Sequence, residues 1–184
     1  MRKAVITVFS LFFLTFFLTT LTEAKTKQVL VPTPTPTPVP KVEYELPYPG
    51  ILPDHPLYFL KVLRDRTLGF LIQDPVKRTE FNLLMADKRL IMGIFLSEKG
   101  KPSLAESTIS KGEKYLEKAF SDLTYARAKG DQTTVNLVDK IKKSVAKHEE
   151  VLTELLERMP EEKKKGIEES LNLVKKIKEE LKKI

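Results

Sequence analysis

Two histidines, His55 and His148, are the side chains of this 184-residue chain with the clearest potential for chemistry. His148 lies in the apolar stripe of a predicted helix, where no histidine or carboxylate occurs three or four positions away. A metal site on a helix needs such a partner on the same face, and Glu149 and Glu150 face elsewhere. We therefore expect a core or boundary histidine that leucine could replace without loss of stability. Metal binding or pH sensing is the alternative.

His55 follows Asp54, and the pair precedes Pro56 at the start of a predicted helix. Asp54 can accept the amide hydrogen of Leu57, so the sequence predicts a helix cap and not half of a catalytic pair. The chain has no cysteine, which excludes a thiol nucleophile, a disulfide and a lipid-modified cysteine. It also lacks a glycine-rich phosphate loop. We expect no catalytic residue, cofactor or metal; a metal-binding or hydrolytic site built from Asp54, His55 and His148 is the alternative.

Asp54 and His55 lie in a proline-rich arm, residues 46–61, with the sequence LPYPGILPDHPLYFLK. Tyr48–Ile51 fits a type II turn, because Pro49 presets the first central residue and Gly50 accepts the positive φ of the second. Apolar side chains interleave with the prolines and predict a strap lying across helix surface. The strap or its groove could instead receive a partner peptide. The predicted structural residues of the arm are Tyr48, Pro49, Gly50, Asp54, Pro56 and Tyr58, and its packing side chains are Tyr44, Tyr48, Ile51 and Leu52.

The arm is followed by an Asp-Pro-Val-Lys helix start at residues 74–77 and by Ala-Asp-Lys-Arg-Leu at residues 86–90. This order resembles the opening of an uncharacterised family of exported prokaryotic proteins known only as a domain of unknown function. The resemblance covers roughly residues 46–128. It implies a secreted helical domain with no established activity.

The N-terminus predicts export. Arg2 and Lys3 precede an uncharged run over residues 4–22, and small residues at Thr22 and Ala24 suit cleavage before Lys25. Residues 1–24 are thus a predicted signal peptide. Because about 18 apolar residues can span a bilayer, an uncleaved membrane anchor is the alternative. We expect an extracellular or cell-surface protein. If the signal is not cleaved, residues 4–22 tether it to the membrane.

Residues 25–43 form a predicted linker that contains a Thr-Pro repeat over residues 31–40. Alternate residues there lack an amide hydrogen, which favours polyproline II over helix or sheet. At about 3.1 Å per residue, the repeat reaches roughly 31 Å. We expect a solvated spacer.

Residues 44–184 carry apolar side chains at spacings of three and four, with no sustained alternation. The pattern predicts an all-α fold, an antiparallel bundle of about five helices after the arm at residues 44–55. The predicted helices cover about residues 56–72, 75–99, 103–129, 131–159 and 160–183. The predicted caps are Asp54, Asp74, Ser103 with Glu106 as a capping box, and Asp131. Gly100 and Gly130 are predicted helix stops.

The first helix is apolar on most sides and is predicted to be central. The second helix carries the apolar residues Phe81, Leu84, Met85, Ile91, Ile94 and Phe95. Each later helix has a predicted stripe. These stripes are Ile109, Gly112, Leu116, Ala119, Leu123 and Ala126 in the third; Val138, Ile141, Val145, His148, Leu152, Leu155 and Met159 in the fourth; Ile167, Leu171, Val174, Ile177 and Leu181 in the fifth.

The net charge of +7 does not predict a nucleic-acid partner, because charges of both signs alternate and arginine–aromatic clusters are absent. We expect an exported non-enzymatic module of the cell envelope that binds a protein or an envelope polymer. The metal-binding or hydrolytic domain is one alternative. A membrane-surface or regulatory domain using the lysine-rich final helices is another.

Overall fold

The computed structural model describes residues 41–132 and 134–184, and there the chain is all-α, as predicted. The helices are α1 (Tyr58–Leu71), α2 (Pro75–Glu98), α3 (Pro102–Ala128), α4 (Thr134–Arg158) and α5 (Glu161–Leu181). These bounds differ from the predicted ones by at most three residues, which is the usual uncertainty of helix ends. The predicted signal or anchor and the linker up to residue 40 lie outside the described residues. Among the described helices, none is long and apolar enough to cross a membrane.

The α2–α3 hairpin is the centre of the bundle, and α4 and α5 pack against it. Two glycines let the backbones of α2 and α3 approach closely. A Cβ atom on Gly112 would lie 3.0 Å from the Cβ of Arg89 and 3.3 Å from the carbonyl oxygen of Ala86. A Cβ on Gly93 would collide with the side chain of Ile109. The predicted close helix packing along the α3 stripe is therefore confirmed.

The predicted stripes of α3, α4 and α5 are confirmed, since every one of their members is buried. Of the apolar residues noted in α2, Met85 is buried and Ile94 packs against the core, but the others do not form its buried face. Leu84 and Phe95 are about 40% exposed, and the buried face instead contains Leu83, Ala86 and Leu90. This helix carries apolar residues on more than one side, so its spacing alone did not identify the side that meets α3 and α4.

The prediction that α1 is central is also wrong. α1 lies at the periphery, and within the described part of the chain α2 is the only helix whose backbone approaches it. Asp65 is its one buried residue. Most of the apolar side chains that suggested a central helix are exposed to solvent, and Val62 is half-buried.

The helix ends follow the predicted glycine stops, and Gly100 and Gly130 have φ of 68° and 78°. The cap at Asp74 is confirmed, because its carboxylate accepts the Lys77 amide hydrogen at 2.8 Å. The capping box of Ser103 with Glu106 is wrong. α3 begins one residue earlier, at Pro102, without a side-chain cap, because proline at the first helical position needs no amide partner.

The cap at Asp54 is wrong as well, because its carboxylate binds the ammonium groups of Lys99 and Lys101 at 3.2 and 2.8 Å. The Leu57 amide hydrogen is accepted by His55 Nδ1 instead. The cap predicted at Asp131 stays a prediction. The backbone carbonyl of that residue accepts the hydroxyl hydrogen of Thr134 at 2.8 Å.

The arm has neither helix nor strand over residues 41–50, and it lies on the bundle as the strap prediction requires, since Tyr44 binds Asp87 and the Val42 amide binds Glu150. Leu46 packs on the core, and the φ of Gly50 is 73°, as a type II turn needs. Lys61 donates to the Pro49 carbonyl at 3.0 Å and holds the turn. Tyr48 and Ile51 depart from the prediction, since they are 83% and 42% exposed.

Candidate functional site

A buried cluster of ionisable side chains surrounds His148, which is fully inaccessible to solvent. Its Nδ1 lies 2.9 and 3.0 Å from the two carboxylate oxygens of Glu113 on α3. Its Nε2 lies 3.1 Å from Oδ1 of Asp87 on α2. Both carboxylates are themselves almost completely buried. The imidazole therefore bridges two acidic side chains from two other helices.

Asp87 has two further partners. The hydroxyl of Ser144 on α4 donates to its Oδ1 at 2.6 Å, and the hydroxyl of Tyr44 in the arm donates to its Oδ2 at 2.6 Å. Beside them, Glu150 accepts from the Val42 amide and from Lys147. The described part of the chain contains no buried side-chain nitrogen or oxygen without a hydrogen-bond partner. The cluster thus joins the arm, α2, α3 and α4.

The charges of the cluster decide the protonation of His148. Burial by itself lowers the pKa of His148, but the charge of Glu113 and the hydrogen bonds with Asp87 and Glu113 outweigh it and raise the pKa to about 9. At neutral pH the ring is an imidazolium that donates from both nitrogens. Burial, with the nearby charge of Asp87, raises the pKa of Tyr44 well above its usual value. Tyr44 therefore remains a hydrogen-bond donor.

This arrangement is poorly suited to chemistry. Both ring nitrogens carry protons held by carboxylates on opposite sides of the ring, so neither offers a lone pair to a metal or to a substrate proton. In residues 41–132 and 134–184 no group of three or more histidine, aspartate and glutamate side chains is arranged to hold a metal ion. The site is also closed to solvent. The cluster fixes the relative positions of the elements that it joins.

The other candidates do not join His148. The carboxylate of Asp54 binds two lysines at the α2–α3 turn, and His55 is exposed with its Nδ1 engaged by the Leu57 amide. The carboxylates that do meet His148 come from other helices, and sequence reasoning did not identify them. A signal was present, because Asp87 interrupts the apolar positions of α2 and Glu113 follows Ile109 by four residues in the α3 stripe.

A second feature is an exposed apolar surface on the outer side of α1. We define the α1 surface as Phe59, Leu60, Leu63, Phe70 and Leu71, which are between 51% and 81% exposed. The arm continues it with three exposed side chains, Tyr48, Ile51 and Leu57. Between arm and helix lies an open cleft of about 440 Å³. Contiguous apolar exposure of this kind is typical of interaction sites.

The charged side chains beside the α1 surface are basic. Arg64 and Arg66 belong to α1 and are exposed. The single acid of the helix, Asp65, is only 5% exposed and accepts from Arg64 at 2.7 Å. Because the acid points inward, positive charge flanks the exposed apolar residues.

Comparison with known proteins gives one match to a family. The family model described as "Domain of unknown function (DUF5667)" matches residues 50–162. No curated protein and no solved structure matches the chain. The match overlaps part of the arm and all of α1 to α4. It contains every side chain of the buried cluster around His148 except Tyr44.

Proposed function

The chain belongs to the DUF5667 family, a domain of unknown function, and we propose that it is an exported, non-enzymatic helical module of the cell envelope. In this proposal it acts by binding a partner. The observation that carries this proposal is the α1 surface. Export is inferred from residues 1–24, which have the charge pattern and apolar run of a signal peptide or anchor. The partner classes are a protein, an envelope polymer or the membrane surface.

The α1 surface supports binding because its exposure is energetically unfavourable. Leaving a leucine or phenylalanine side chain in water instead of burying it costs about 1.5 to 3 kcal/mol. The α1 surface consists of five such residues, and α1 exposes a sixth at Leu68, while its inner side carries Asp65. A helix that folded only for its own stability would present the opposite side to the bundle. A partner that covers the α1 surface removes this cost.

The hydrolytic or metal-binding alternative is less well supported. It requires Asp54, His55 and His148 to act together, yet their hydrogen-bond partners belong to different parts of the fold. His148 is enclosed, with both nitrogens engaged. Chemistry at this residue would need the core to open.

The membrane-surface alternative was first attached to the lysine-rich final helices, but six of the twelve lysines in residues 134–184 pair with glutamates. Lys164, Lys182 and Lys183 each pair with a glutamate three residues away on α5. Lys178 pairs with Glu149 of α4 at 2.5 Å. Such pairs are typical of a solvated helix face. Any docking on lipid is better assigned to α1.

The proposal can be tested by photo-crosslinking in the producing cell. A photoreactive residue placed at Leu63, in the centre of the α1 surface, should form adducts in the envelope fraction. The same residue at Val135, which is also exposed but lies on α4, should not. Recovery of the full chain in the cytosol with Met1 retained would refute export. Absence of adducts at Leu63 in exported protein would refute binding through α1.

A further inference from the structure

We propose that the α1 surface docks on an anionic lipid membrane, with α1 lying flat in the interface between headgroups and acyl chains. This inference rests on the proposed function in one respect, namely that the module acts by binding through α1. It goes further by naming the partner. The supporting observations are the angular order of residues around α1, the position of its arginines and the sign of the exposed charge. The chain that precedes the arm is consistent with them.

The first observation is the order of side chains around α1. At about 100° per residue, Phe59, Leu63 and Phe70 fall within roughly 40° of one another, nearly opposite Asp65. Leu60 and Leu71 widen this sector on one side. The helix is about 21 Å long for its 14 residues. The result is a protruding apolar ridge, which can enter a bilayer surface without a preformed cavity.

The second observation is the position of the arginines. On the same wheel Arg66 falls at one border of the apolar sector, roughly 80° from its centre, and Arg64 falls on the other side between Leu71 and the exposed Leu68. Interfacial helices carry basic residues at these borders, where a long side chain reaches the phosphate level while its stem stays on apolar surface. Tyr48, 83% exposed beside the ridge, has the amphipathic ring typical of that layer.

The third observation is charge complementarity. Both acidic residues of the stretch 48–71 are already paired, Asp65 with Arg64 and Asp54 with Lys99 and Lys101. With Arg64 held by Asp65, the free charge that borders the ridge is the positive charge of the exposed Arg66, and it favours an anionic partner. A second copy of the chain is disfavoured, because a two-fold contact between α1 ridges brings the arginine borders together.

The preceding chain is consistent with this partner. If the predicted anchor at residues 4–22 remains in the membrane, the predicted linker at residues 25–43 connects the arm to that bilayer. α1 could then meet the same bilayer. Without the anchor, docking depends on α1 alone, and that condition gives the cleaner test.

The experiment uses residues 25–184, which lack the predicted anchor segment and contain all the residues that the structure describes, 41–132 and 134–184. The protein is sedimented with vesicles of equal parts phosphatidylglycerol and phosphatidylcholine, and with phosphatidylcholine vesicles alone. We expect binding to the anionic vesicles that weakens with salt. Binding to phosphatidylcholine should be at least about fivefold weaker, since each basic residue near an anionic surface contributes about that factor.

Two variants test the ridge and its border. Phe59→Gln with Phe70→Gln should raise the lipid concentration for half-binding at least about tenfold, because two aromatic insertions are lost. Arg66→Gln should weaken binding to anionic vesicles about fivefold and leave binding to phosphatidylcholine unchanged. The matched controls are Tyr125→Gln, an aromatic residue 50% exposed on α3, and Lys176→Gln, an exposed cation on α5. Both controls should bind like the wild type.

All five substituted side chains are exposed, so circular dichroism and melting curves should match those of the wild type. The bilayer is overturned as the partner if the wild type does not sediment with anionic vesicles, or if Phe59→Gln with Phe70→Gln sediments equally well. Self-association that this double variant abolishes, without vesicle binding, assigns the ridge to a second copy. A protein adduct at Leu63 without vesicle binding leaves the proposed function standing. Vesicle binding without any adduct at Leu63 in cells would count against the proposed function itself.

Discussion

Replacement of His148 by leucine should strongly destabilise the protein, in contrast to the expectation from sequence that leucine is tolerated there. The wild-type imidazolium lies between Asp87 and Glu113, which are 3% and 1% exposed. Leucine removes the positive charge and both donors. Two buried carboxylates then face each other with no cation between them.

Two estimates give the size of the effect. Removing one partner of a buried ion pair typically costs about 3 to 5 kcal/mol. The second estimate comes from titration, because the pKa of His148 rises from 6.5 to about 9 on folding. At about 1.4 kcal/mol per pH unit, this difference corresponds to about 3 kcal/mol. Because domains of this size are stable by only about 5 to 15 kcal/mol, the loss should be easily measured.

The pH dependence has a definite sign. The folded-state pKa of His148 is higher than the unfolded one, so folding takes up a proton between pH 6.5 and 9. The stabilisation is complete below pH 6.5 and disappears as the pH rises through 9. Burial lowers the pKa of Lys61 to about 8, and this group acts in the opposite direction above that pH. The difference between wild type and His148→Leu cancels the contribution of Lys61, because both proteins contain it.

The assay is urea unfolding, followed by circular dichroism at several pH values between 6 and 9. We expect the stability difference between wild type and His148→Leu to be about 3 kcal/mol or more at pH 6, and to shrink towards pH 9. His55→Leu is the matched control, since it loses only an exposed hydrogen bond and should cost about 1 kcal/mol or less. A His148→Leu protein as stable as the wild type at pH 6 would refute the charged cluster. So would a difference that does not depend on pH.

The remaining predictions concern the arm and the helix packing. Tyr44→Phe leaves Asp87 without a 2.6 Å donor, so it should cost about 1.5 to 3 kcal/mol and speed hydrogen exchange of the arm amides; unchanged exchange would show that this bond does not hold the arm. Gly50→Val places a β-branched residue at a φ of 73° and should cost on the order of 1 to 3 kcal/mol, whereas Gly50→Asn should be milder, as melting temperatures can show. Gly112→Ala introduces a Cβ 3.3 Å from a backbone carbonyl of α2 and should cost about 1 to 3 kcal/mol in urea unfolding; an equally stable variant would mean that the two helices can separate without loss.

Much of the fold could be predicted from residue types and spacing. The stripes of α3, α4 and α5 are regular enough that each has one apolar side, so the buried residues follow from the helical period. Glycine at positions 50, 100 and 130 marks positive φ, which other residues rarely adopt. Asp74 before Pro75 starts a helix through contacts within four residues. Interactions this local can be read from the sequence because chain neighbours supply both partners.

Other helix starts were mispredicted because distant residues compete for the same side chain. Asp54 has the right spacing for a cap, but Lys99 and Lys101 bring two positive charges to it from the α2–α3 turn. A charge-assisted contact with an ammonium group is stronger than one with a neutral amide. Where a long-range charge is available, the local pattern is therefore not decisive.

The sequence by itself determined the helical class, the helix limits, the stops and the presence of a histidine in the core. Only the tertiary structure decided what that histidine does and where α1 lies. Asp87 and Glu113 precede His148 by 61 and 35 residues, and three helices must pack before the charges meet. The apolar residues of α1 have no preferred side until a bundle exists that can bury them or leave them exposed. Periodicity describes one helix at a time, whereas pairing and exposure depend on the surfaces of several.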